Sequence, residues 1–252
     1  MQAIVARQAR EKAYWDQFYA SDMYANWQEK PFEVWRSALS TRLPPLTFLG
    51  PFEGRRILLC GVGPEAVVFA RAGGEVYGFD ISTTQTEAVN ALARRTGLAA
   101  HINVQAMPFE QLAYPDDFFD LAYGSAILHH IDLVAGGAEL ARVLKPGGRA
   151  AFLEPLGTNP FLQFARGHLP YREKHRTVDE RPLTYQDIEL FTRSFAVARR
   201  EELRLFGMLQ RRVLTNRRVI KSLEQVDKVV LAYAPMLRPL CAQVWVGVEK
   251  AA

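Results

Sequence analysis

The sequence predicts an α/β fold built on a doubly wound, mainly parallel sheet of seven strands. Three observations support this prediction. Short apolar runs alternate with stretches of helical periodicity over residues 56–155, which is the pattern of βαβ units. A glycine turn follows the first apolar run directly. An acidic residue ends the second run, at the place where open parallel sheets bind their ligands.

The first βαβ unit lies at residues 56–80. Its strand, 57–60, breaks at the turn 61–64, and a helix and a second strand ending in Asp80 follow. Glycines let a ligand approach the backbone closely, the helix N-terminus offers free N–H groups, and an acid in this place accepts the hydroxyls of a ribose. The unit therefore predicts a nucleoside cofactor, although a tight turn in an unrelated α/β protein has the same pattern.

The alternation of strands and helices continues beyond this unit. We predict a helix at 82–95 with Ser82 as its N-cap, strands at 101–105 and 118–123, a helix at 133–144, and a fifth strand at 149–153 after a stop at Pro146. The last third is less regular. Its predicted elements are a helix at 185–193, a sixth strand at 196–206, a helical stretch at 210–233 and an edge strand at 243–249.

Residues 1–45 are rich in aromatic side chains and predict an N-terminal helical lid. The helical spacing of these aromatics favours two amphipathic helices joined by a loop at 21–30, with Pro44 and Pro45 ending the second. Ordinary packing against the sheet explains the same residues equally well. Residues 46–252 form the main domain, with a substrate-side insertion at 156–183 and a helical insertion at 208–238.

Composition restricts the class of protein. Of the 252 residues 49% are apolar, so the chain can bury a substantial core. Cys60 and Cys241 are too few for a disulfide framework, and we expect no metal site. No run is apolar enough to span a membrane and no signal peptide is visible, so we expect a soluble, cytoplasmic protein.

The formal net charge is +4, and basic residues concentrate between residues 193 and 221. Such a region suits nucleic acid, anionic lipid or an acidic substrate. Interspersed glutamates favour solvated helix faces instead, and no nucleic-acid-binding module is visible, so we expect no nucleic-acid partner. The helical stretch at 210–233 suits either a cap or a homodimer contact.

Two later stretches carry a more specific signal than the glycine turn. They read FDLAYGSAILHHI at 119–131 and ELARVLKPGGRAAFLEP at 139–155. Together with the turn and Asp80 they resemble the class I S-adenosylmethionine-dependent methyltransferases, in particular the small-molecule branch. The resemblance implies a Rossmann-like sheet whose final strand is antiparallel. It also implies S-adenosylmethionine as the cofactor and S-adenosylhomocysteine as the product.

The resemblance also implies a set of cofactor-binding residues near the carboxyl ends of the first four strands. Glycines of the turn line the methionine portion, the acid binds the ribose, apolar side chains enclose adenine, and the exit of the fourth strand faces the methyl group. These residues are Gly61, Val62, Gly63, Asp80, Ile81, Met107, Pro108, Phe109, Gly124 and Ser125. Two positions depart from the family pattern. Glu65 replaces the third glycine, and Pro108 replaces an acid that meets the adenine amino group.

Methyl transfer requires a positioned acceptor and, for a hydroxyl, removal of its proton. His129 and His130 follow the fourth strand and are the candidate bases. Glu154 ends the fifth strand, where it can orient a histidine, act as a second base or bind an amine. The candidate substrate-binding residues lie in the lid and the insertion: Tyr24, Trp27, His168, Tyr171, His175 and Arg176.

The favoured interpretation is an enzyme that methylates a small molecule, with a hydroxyl oxygen as the favoured acceptor. Carbon or nitrogen acceptors use a similar site. The alternatives are an RNA or protein methyltransferase and a non-catalytic protein that binds S-adenosylmethionine; the second is motivated by Glu65 and Pro108. A nicotinamide dehydrogenase is disfavoured because the sequence shows no Tyr-x-x-x-Lys pair.

Overall fold

A seven-stranded mixed sheet forms the centre of the computed structural model, which describes residues 2–21, 39–168, 181–206 and 217–252. The strand order is β3-β2-β1-β4-β5-β7-β6, and β1 to β5 are parallel while β7 is antiparallel to both neighbours. The strands are β1 (Arg56–Cys60), β2 (Glu75–Asp80), β3 (Ile102–Ala106), β4 (Phe119–Ser125), β5 (Leu144–Pro155), β6 (Val197–Leu203) and β7 (Gln243–Glu249). The predicted doubly wound, mainly parallel sheet is therefore confirmed.

The prediction that the last strand is an edge strand is wrong. β7 lies between β5 and β6, and β6 forms the edge. The burial of the two strands explains this order. The central five residues of β7 are all buried, whereas the first five residues of β6 are exposed. Apolar side chains on both faces of β7 favour an interior position, while the exposed charged residues of β6, 199–201, suit an edge that faces water.

Helices cover both faces of the sheet, and each face has its own cluster of buried apolar residues. The helices are α1 (Gln2–Tyr19), α2 (Leu39–Leu49), α3 (Glu65–Arg71), α4 (Thr83–Arg95), α5 (Leu133–Val143), α6 (Pro160–His168), α7 (Tyr185–Thr192) and α8 (Arg217–Tyr233). Two short 3₁₀ helices lie at Leu128–His130 and Pro235–Leu240. Within the described ranges, no helix is both long and apolar enough to cross a membrane.

The predicted N-cap of α4 is confirmed, because the Ser82 hydroxyl accepts the N–H of Gln85 at 3.2 Å. α7 begins with a capping box. The Thr184 side chain accepts the backbone N–H of Asp187, and the Asp187 side chain accepts the backbone N–H of Thr184. Asp132 caps α5 by accepting the N–H groups of the next turn. These caps accept N–H groups of the first helical turn, which have no partner within the helix. They set the first residue of each helix, which the hydrophobic pattern alone does not determine.

The prediction that Pro44 and Pro45 end a helix is also wrong, because α2 continues through both to Leu49. Leu49 is buried, and Leu46 and Phe48 pack beside it on one core cluster, so tertiary packing outweighs the two lost N–H donors. The fifth strand is longer than predicted and begins at Leu144. The loop predicted at 21–30 and most of the second lid helix lie outside the described residues, as do 169–180 and 207–216.

Candidate functional site

A cavity lies between α1 and the carboxyl edge of the parallel strands. It encloses about 670 Å³ of space, including its mouth. Five side chains of α1 form one wall: Arg7, Gln8, Glu11, Trp15 and Tyr19. The sheet side contributes six of the predicted cofactor residues, which are Gly61, Asp80, Ile81, Met107, Phe109 and Ser125, together with His130. The other four predicted cofactor residues, Val62, Gly63, Pro108 and Gly124, are neighbours in the chain but do not line the cavity.

Gly61 begins the turn after β1 and requires a backbone that only glycine adopts easily. Its φ is +70°, and an added Cβ would lie 3.3 Å from the Ile127 side chain. The N–H groups of Gly61 and Val62 both donate to the carbonyl of Phe79 at 3.0 Å. These bonds hold the turn against the end of β2, so that Gly61 and Asp80 line the same cavity.

Asp80 is a buried acid at the end of β2, with only 7% of its surface exposed. Its Oδ1 accepts the N–H of Ser82 at 2.9 Å. Burial, together with the nearby charges of Asp16 and Glu65, raises the pKa of Asp80 to about 7 against the lowering effect of that N–H. Burial deprives this carboxylate of hydrogen bonds from water. A ligand with O–H donors, such as a ribose, can replace them at this position in the cavity wall.

The structure shows what Glu65 does in place of the third glycine. Its carboxyl turns back beside Gly63, where an added Cβ would lie 2.6 Å from Oε2 of Glu65, and the backbone there lowers the pKa of this carboxyl. Burial raises the pKa of Glu65, and the charge of Arg42 on α2 acts in the opposite direction. The carboxyl therefore folds back on the start of α3 and does not line the cavity. This substitution leaves the cavity wall at Gly61 and Asp80 open to a ligand.

Glu110 is a cavity residue that the sequence analysis missed. It lies two positions after Pro108 and accepts hydrogen bonds from the Arg7 guanidinium, from Nε2 of Gln8 at 2.9 Å and from the N–H of Asp132 at 2.8 Å. It thus joins α1 to the start of α5. The partners on α1 are about a hundred residues away in the chain, so no local pattern indicates this role.

Glu154 and His129 form a buried pair behind the cavity. Glu154 is fully buried, and its Oε1 accepts the N–H groups of Ile127 at 2.9 Å and Leu128 at 3.0 Å. Its Oε2 lies 2.7 Å from Nδ1 of His129. Because a carboxylate only accepts, His129 donates through Nδ1. Both oxygens of Glu154 are therefore occupied in holding the 3₁₀ turn that carries the two histidines.

His130 faces the cavity and the helix α1. Its Nδ1 lies 3.2 Å from Oε2 of Glu11, in ion-pair range, and the Trp15 indole donates to the same oxygen at 2.9 Å. The rings of Trp15 and His130 meet edge to face, with centroids 5.4 Å apart. His130 also borders a second, smaller cavity that His129 and Arg181 line. The imidazole of His130 thus stands between the two spaces.

The predicted substrate residues are only partly placed. Tyr24, Trp27, Tyr171, His175 and Arg176 lie outside the described residues. His168 ends α6, where it is exposed and stacks on Phe164 with ring centroids 4.3 Å apart. It lines neither of the two cavities beside His130.

Comparison with known proteins identifies the central part of the chain. Residues 58–152 match the domain described as "Methyltransferase domain". Methyltransferase phqN of Penicillium fellutanum is 34% identical over 113 residues, which are 43% of this chain and 35% of the relative. Aklanonic acid methyltransferase DauC of Streptomyces sp. strain C5 is 36% identical over 121 residues, which are 44% of this chain and 54% of the relative.

Solved structures share the fold over most of the chain. Geranyl diphosphate C-methyltransferase from Streptomyces coelicolor A3(2), solved with S-adenosylhomocysteine, has a TM-score of 0.61 at 14% identity and covers 85% of this chain and 77% of its own. The [4+2]-cyclase SpnF has a TM-score of 0.57 at 18% identity, with coverages of 84% and 81%.

The fold and the matched segment define a class I S-adenosylmethionine-dependent methyltransferase domain. Its curated relatives include methyltransferases of small molecules, such as DauC. The chain spans about a third to a half of the length of the curated relatives it matches. The residues around the cavity fit the cofactor of this class, because a buried acid, a glycine turn and apolar side chains line one space.

Proposed function

We propose that this protein transfers a methyl group from S-adenosylmethionine to a small-molecule acceptor, with a hydroxyl oxygen as the favoured acceptor and His130 as the base. The observation that carries the proposal is that His130 and Asp80 line the same cavity while Glu11 faces the imidazole. A nucleoside-binding acid and a proton acceptor therefore border a single space.

The cofactor residues divide into three groups. Asp80 accepts the ribose hydroxyls, and Ile81, Met107 and Phe109 provide apolar walls for adenine. Gly61 and Ser125 border the methionine end. When bound, S-adenosylmethionine supplies an electrophilic methyl group on a sulfonium centre. No side chain has to form a covalent bond in this chemistry, so positioning and proton removal are the tasks of the protein.

His130 takes the proton of the acceptor in the proposed mechanism. The Glu11 carboxyl, 3.2 Å from Nδ1, stabilises the positive charge that the imidazole gains. Trp15 holds Glu11 through its indole N–H. His129 and Glu154 are positioning residues, because their bonds fix the backbone of the turn. The helix α1 covers the cavity and limits the access of water.

The names of the relatives support a carbocyclic acceptor. They include an aklanonic acid methyltransferase, a 2-phytyl-1,4-naphtoquinone methyltransferase and a sterol 24-C-methyltransferase. The last of these names favours a second candidate, methylation at carbon. The same base serves both reactions where removal of a proton from a phenol or enol makes either oxygen or carbon nucleophilic.

Calorimetry with S-adenosylmethionine, S-adenosylhomocysteine and NAD tests the cofactor assignment. We expect the two sulfur nucleosides to bind the wild-type protein and Asp80→Ala to weaken both by roughly tenfold or more, since a charged hydrogen-bond acceptor is lost. The exposed Asp116 provides a matched control, and Asp116→Ala should bind as the wild type does. Binding of NAD alone would overturn the proposal.

A screen of small-molecule acceptors for methylation then tests the role of His130 as the base. His130→Gln should lower kcat by roughly a hundredfold or more while the affinity for S-adenosylhomocysteine stays near the wild-type value. If His130→Gln had the wild-type kcat on an acceptor that the wild-type protein methylates, His130 would not be the base.

A further inference from the structure

The second, smaller cavity beside His130 adjoins the cavity that Asp80 lines. It encloses about 440 Å³ of space, including its mouth, and lies between α1, the 3₁₀ helix Leu128–His130 and the start of α7. Four residues line both cavities: Arg7, Glu11, His130 and Ile131. These four residues form the boundary between the two spaces. A molecule in the second cavity can therefore contact His130 without occupying the space beside Asp80.

The walls of the second cavity suit a small ring compound. Four aliphatic side chains contribute apolar surface, namely Leu128, Ile131, Leu133 and Leu183. Polar side chains from α1, from the two histidines and from the start of α7 complete the wall. Small-molecule sites combine apolar walls with a few polar groups that fix the orientation of the ligand. The volume lies at the lower end of the range of about 300–1,000 Å³ that such sites have.

The two arginines of this cavity differ in their hydrogen bonds. Nη1 and Nη2 of Arg181 donate to the carboxylate of Asp187 at 2.6 and 2.7 Å, and the Arg181 side chain is 64% exposed, so water reaches it. The Arg7 side chain is only 20% exposed, and its Nη2 donates to Glu110. Nε of Arg7 is buried and has no hydrogen-bond partner within the described part of the chain.

The unpaired Nε of Arg7 indicates a ligand. A guanidinium stays protonated, so this nitrogen is always a donor, and a buried donor without an acceptor destabilises the folded protein. Glu110 holds the guanidinium in place, because its carboxylate also accepts the N–H of Asp132 at 2.8 Å and is largely buried. A bound molecule with an oxygen atom at this position would give Nε its missing acceptor.

From these contacts, and resting on the proposed function, we propose that the second cavity binds the methyl acceptor and that Nε of Arg7 donates to a carbonyl oxygen next to the reacting hydroxyl. The acceptor class is a hydroxylated ring with a neighbouring carbonyl group. The hydroxyl gives its proton to His130, and the negative charge that remains is shared by the two oxygens. Arg7 keeps its proton and stabilises this charge, which a charged donor does better than a neutral one.

Calorimetry with two isomers tests this proposal. The probes are ortho-hydroxyacetophenone, in which the carbonyl is next to the hydroxyl, and para-hydroxyacetophenone, in which it is across the ring. Each is titrated into protein saturated with S-adenosylhomocysteine. We expect the wild type to bind the ortho isomer roughly tenfold more tightly, since only this isomer places an oxygen at Arg7. Arg7→Lys should reduce this ratio to about one, because lysine keeps a charge for Glu110 but has no Nε–H.

The matched control is Arg10→Lys. Arg10 is an exposed residue of α1 that lines neither cavity, so this variant should keep the wild-type ratio. The ratio distinguishes a contact with the acceptor from a loosened α1, because loosening weakens the binding of both isomers alike. Three results would overturn the proposal: no binding of either isomer, equal binding of the two isomers by the wild type, or an unchanged ratio in Arg7→Lys.

The same titrations separate this proposal from the proposed function. If the wild type bound S-adenosylhomocysteine and gave any of these three results, the role of Arg7 alone would be wrong. If the wild type did not bind S-adenosylhomocysteine, the proposed function would be wrong, and the role of Arg7 with it.

Discussion

Asp80, the proposed ribose-binding residue, illustrates how a buried acid reduces the stability of its own fold. Burial raises its pKa to about 7 from the ordinary value of 3.8, so the folded state holds the proton more tightly than the unfolded state does. The stabilising contribution of the protonated form is therefore complete below about pH 4 and is lost as the pH rises through 7. The described residues give this buried carboxyl no ionic partner, and the cost in stability fits the proposed role of Asp80 in binding a ligand.

Asp80→Asn should therefore raise the melting temperature at pH 8 and change it little at pH 4. The amide keeps an oxygen for the N–H of Ser82 and carries no charge. We expect a gain of about 1–3 kcal/mol at pH 8, with loss of S-adenosylhomocysteine binding. Scanning calorimetry at both pH values measures it, and a variant less stable than the wild type at pH 8 would contradict this account.

The affinity for S-adenosylhomocysteine should fall as the pH decreases below 7. Only the ionised form of Asp80 accepts two ribose hydroxyls, and one pH unit below its pKa about a tenth of the molecules carry that form. We expect roughly tenfold weaker binding at pH 6 than at pH 8. Calorimetry in matched buffers tests this, and an affinity that is flat across this range would show that the charge of Asp80 does not contribute.

Ala126 holds an unfavourable backbone beside the cavity. Its φ is +57°, the left-handed region that a Cβ disfavours. Ala126→Gly should stabilise the fold by about 0.5–1 kcal/mol in urea unfolding. Ala122 lies in the regular part of β4, and the matched change Ala122→Gly should destabilise instead. The same sign for both variants would exclude strain at Ala126.

Sequence and structure agree best for residues that belong to a local motif. Gly61, Asp80 and His130 were predicted from short patterns, and the structure brings all three to one cavity. Glu11 and Glu110 were not predicted. Their partners are His130, Arg7 and Gln8, which are distant in the chain, so no pattern along the sequence contains the contact.

Among the elements, α1 is attached mainly through polar contacts. Asp16 accepts hydrogen bonds from Ser82 and Thr84 at the start of α4. Glu110 accepts hydrogen bonds from the side chains of Arg7 and Gln8 on α1. Burial raises the pKa of Asp16, but hydrogen bonds from Lys12, Ser82 and Thr84 lower it below its ordinary range. The carboxylate of Asp16 consequently stays charged and keeps α1 joined to α4.

Glu110→Gln should loosen α1. The neutral amide loses the charge that Arg7 contacts, and we expect faster hydrogen exchange over residues 2–19 and S-adenosylhomocysteine binding weaker by about 1–2 kcal/mol. Glu75→Gln is the control, because Glu75 is an exposed acid that pairs with Arg56 at the other edge of the sheet. Exchange in α1 that is equal in the two variants would contradict the role of Glu110.

Strands and capped helices were easier to predict than the lid. Mostly buried runs define β1, β2, β4 and β5, and Ser82 marks the start of α4. α2 was mispredicted because prolines weigh heavily in a local pattern, while the packing of Leu49 on the sheet is a contact that the pattern does not contain.

At the scale of the whole molecule, α1 stands apart from the core. Neither of the two core clusters includes a residue of α1. Removal of residues 1–20 should therefore leave cooperative unfolding intact and shift the melting temperature by only a few degrees. Binding of S-adenosylhomocysteine should weaken by roughly tenfold or more, since one wall of the cavity is lost. Loss of the cooperative transition would show that α1 is part of the core.

The alternation of strands and helices predicted the sheet, but it did not predict the position of β7. The order of the strands depends on which strands have apolar side chains on both faces. The sequence of β6 or β7 alone does not give this order, because the apolar character of the two strands has to be compared. The prediction of a lid domain at 1–45 and of insertions at 156–183 and 208–238 stays a proposal.

The interior position of β7 has a consequence for biosynthesis. Among the described strands, β6 pairs only with β7, and β7 is about 40 residues further along the chain. While the ribosome is still translating that interval, β5 and β6 both lack their neighbour and offer unsatisfied backbone groups to other nascent chains. β7 follows the other strands in the sequence, and by pairing with both β5 and β6 it satisfies the free backbone groups of the two strands at once.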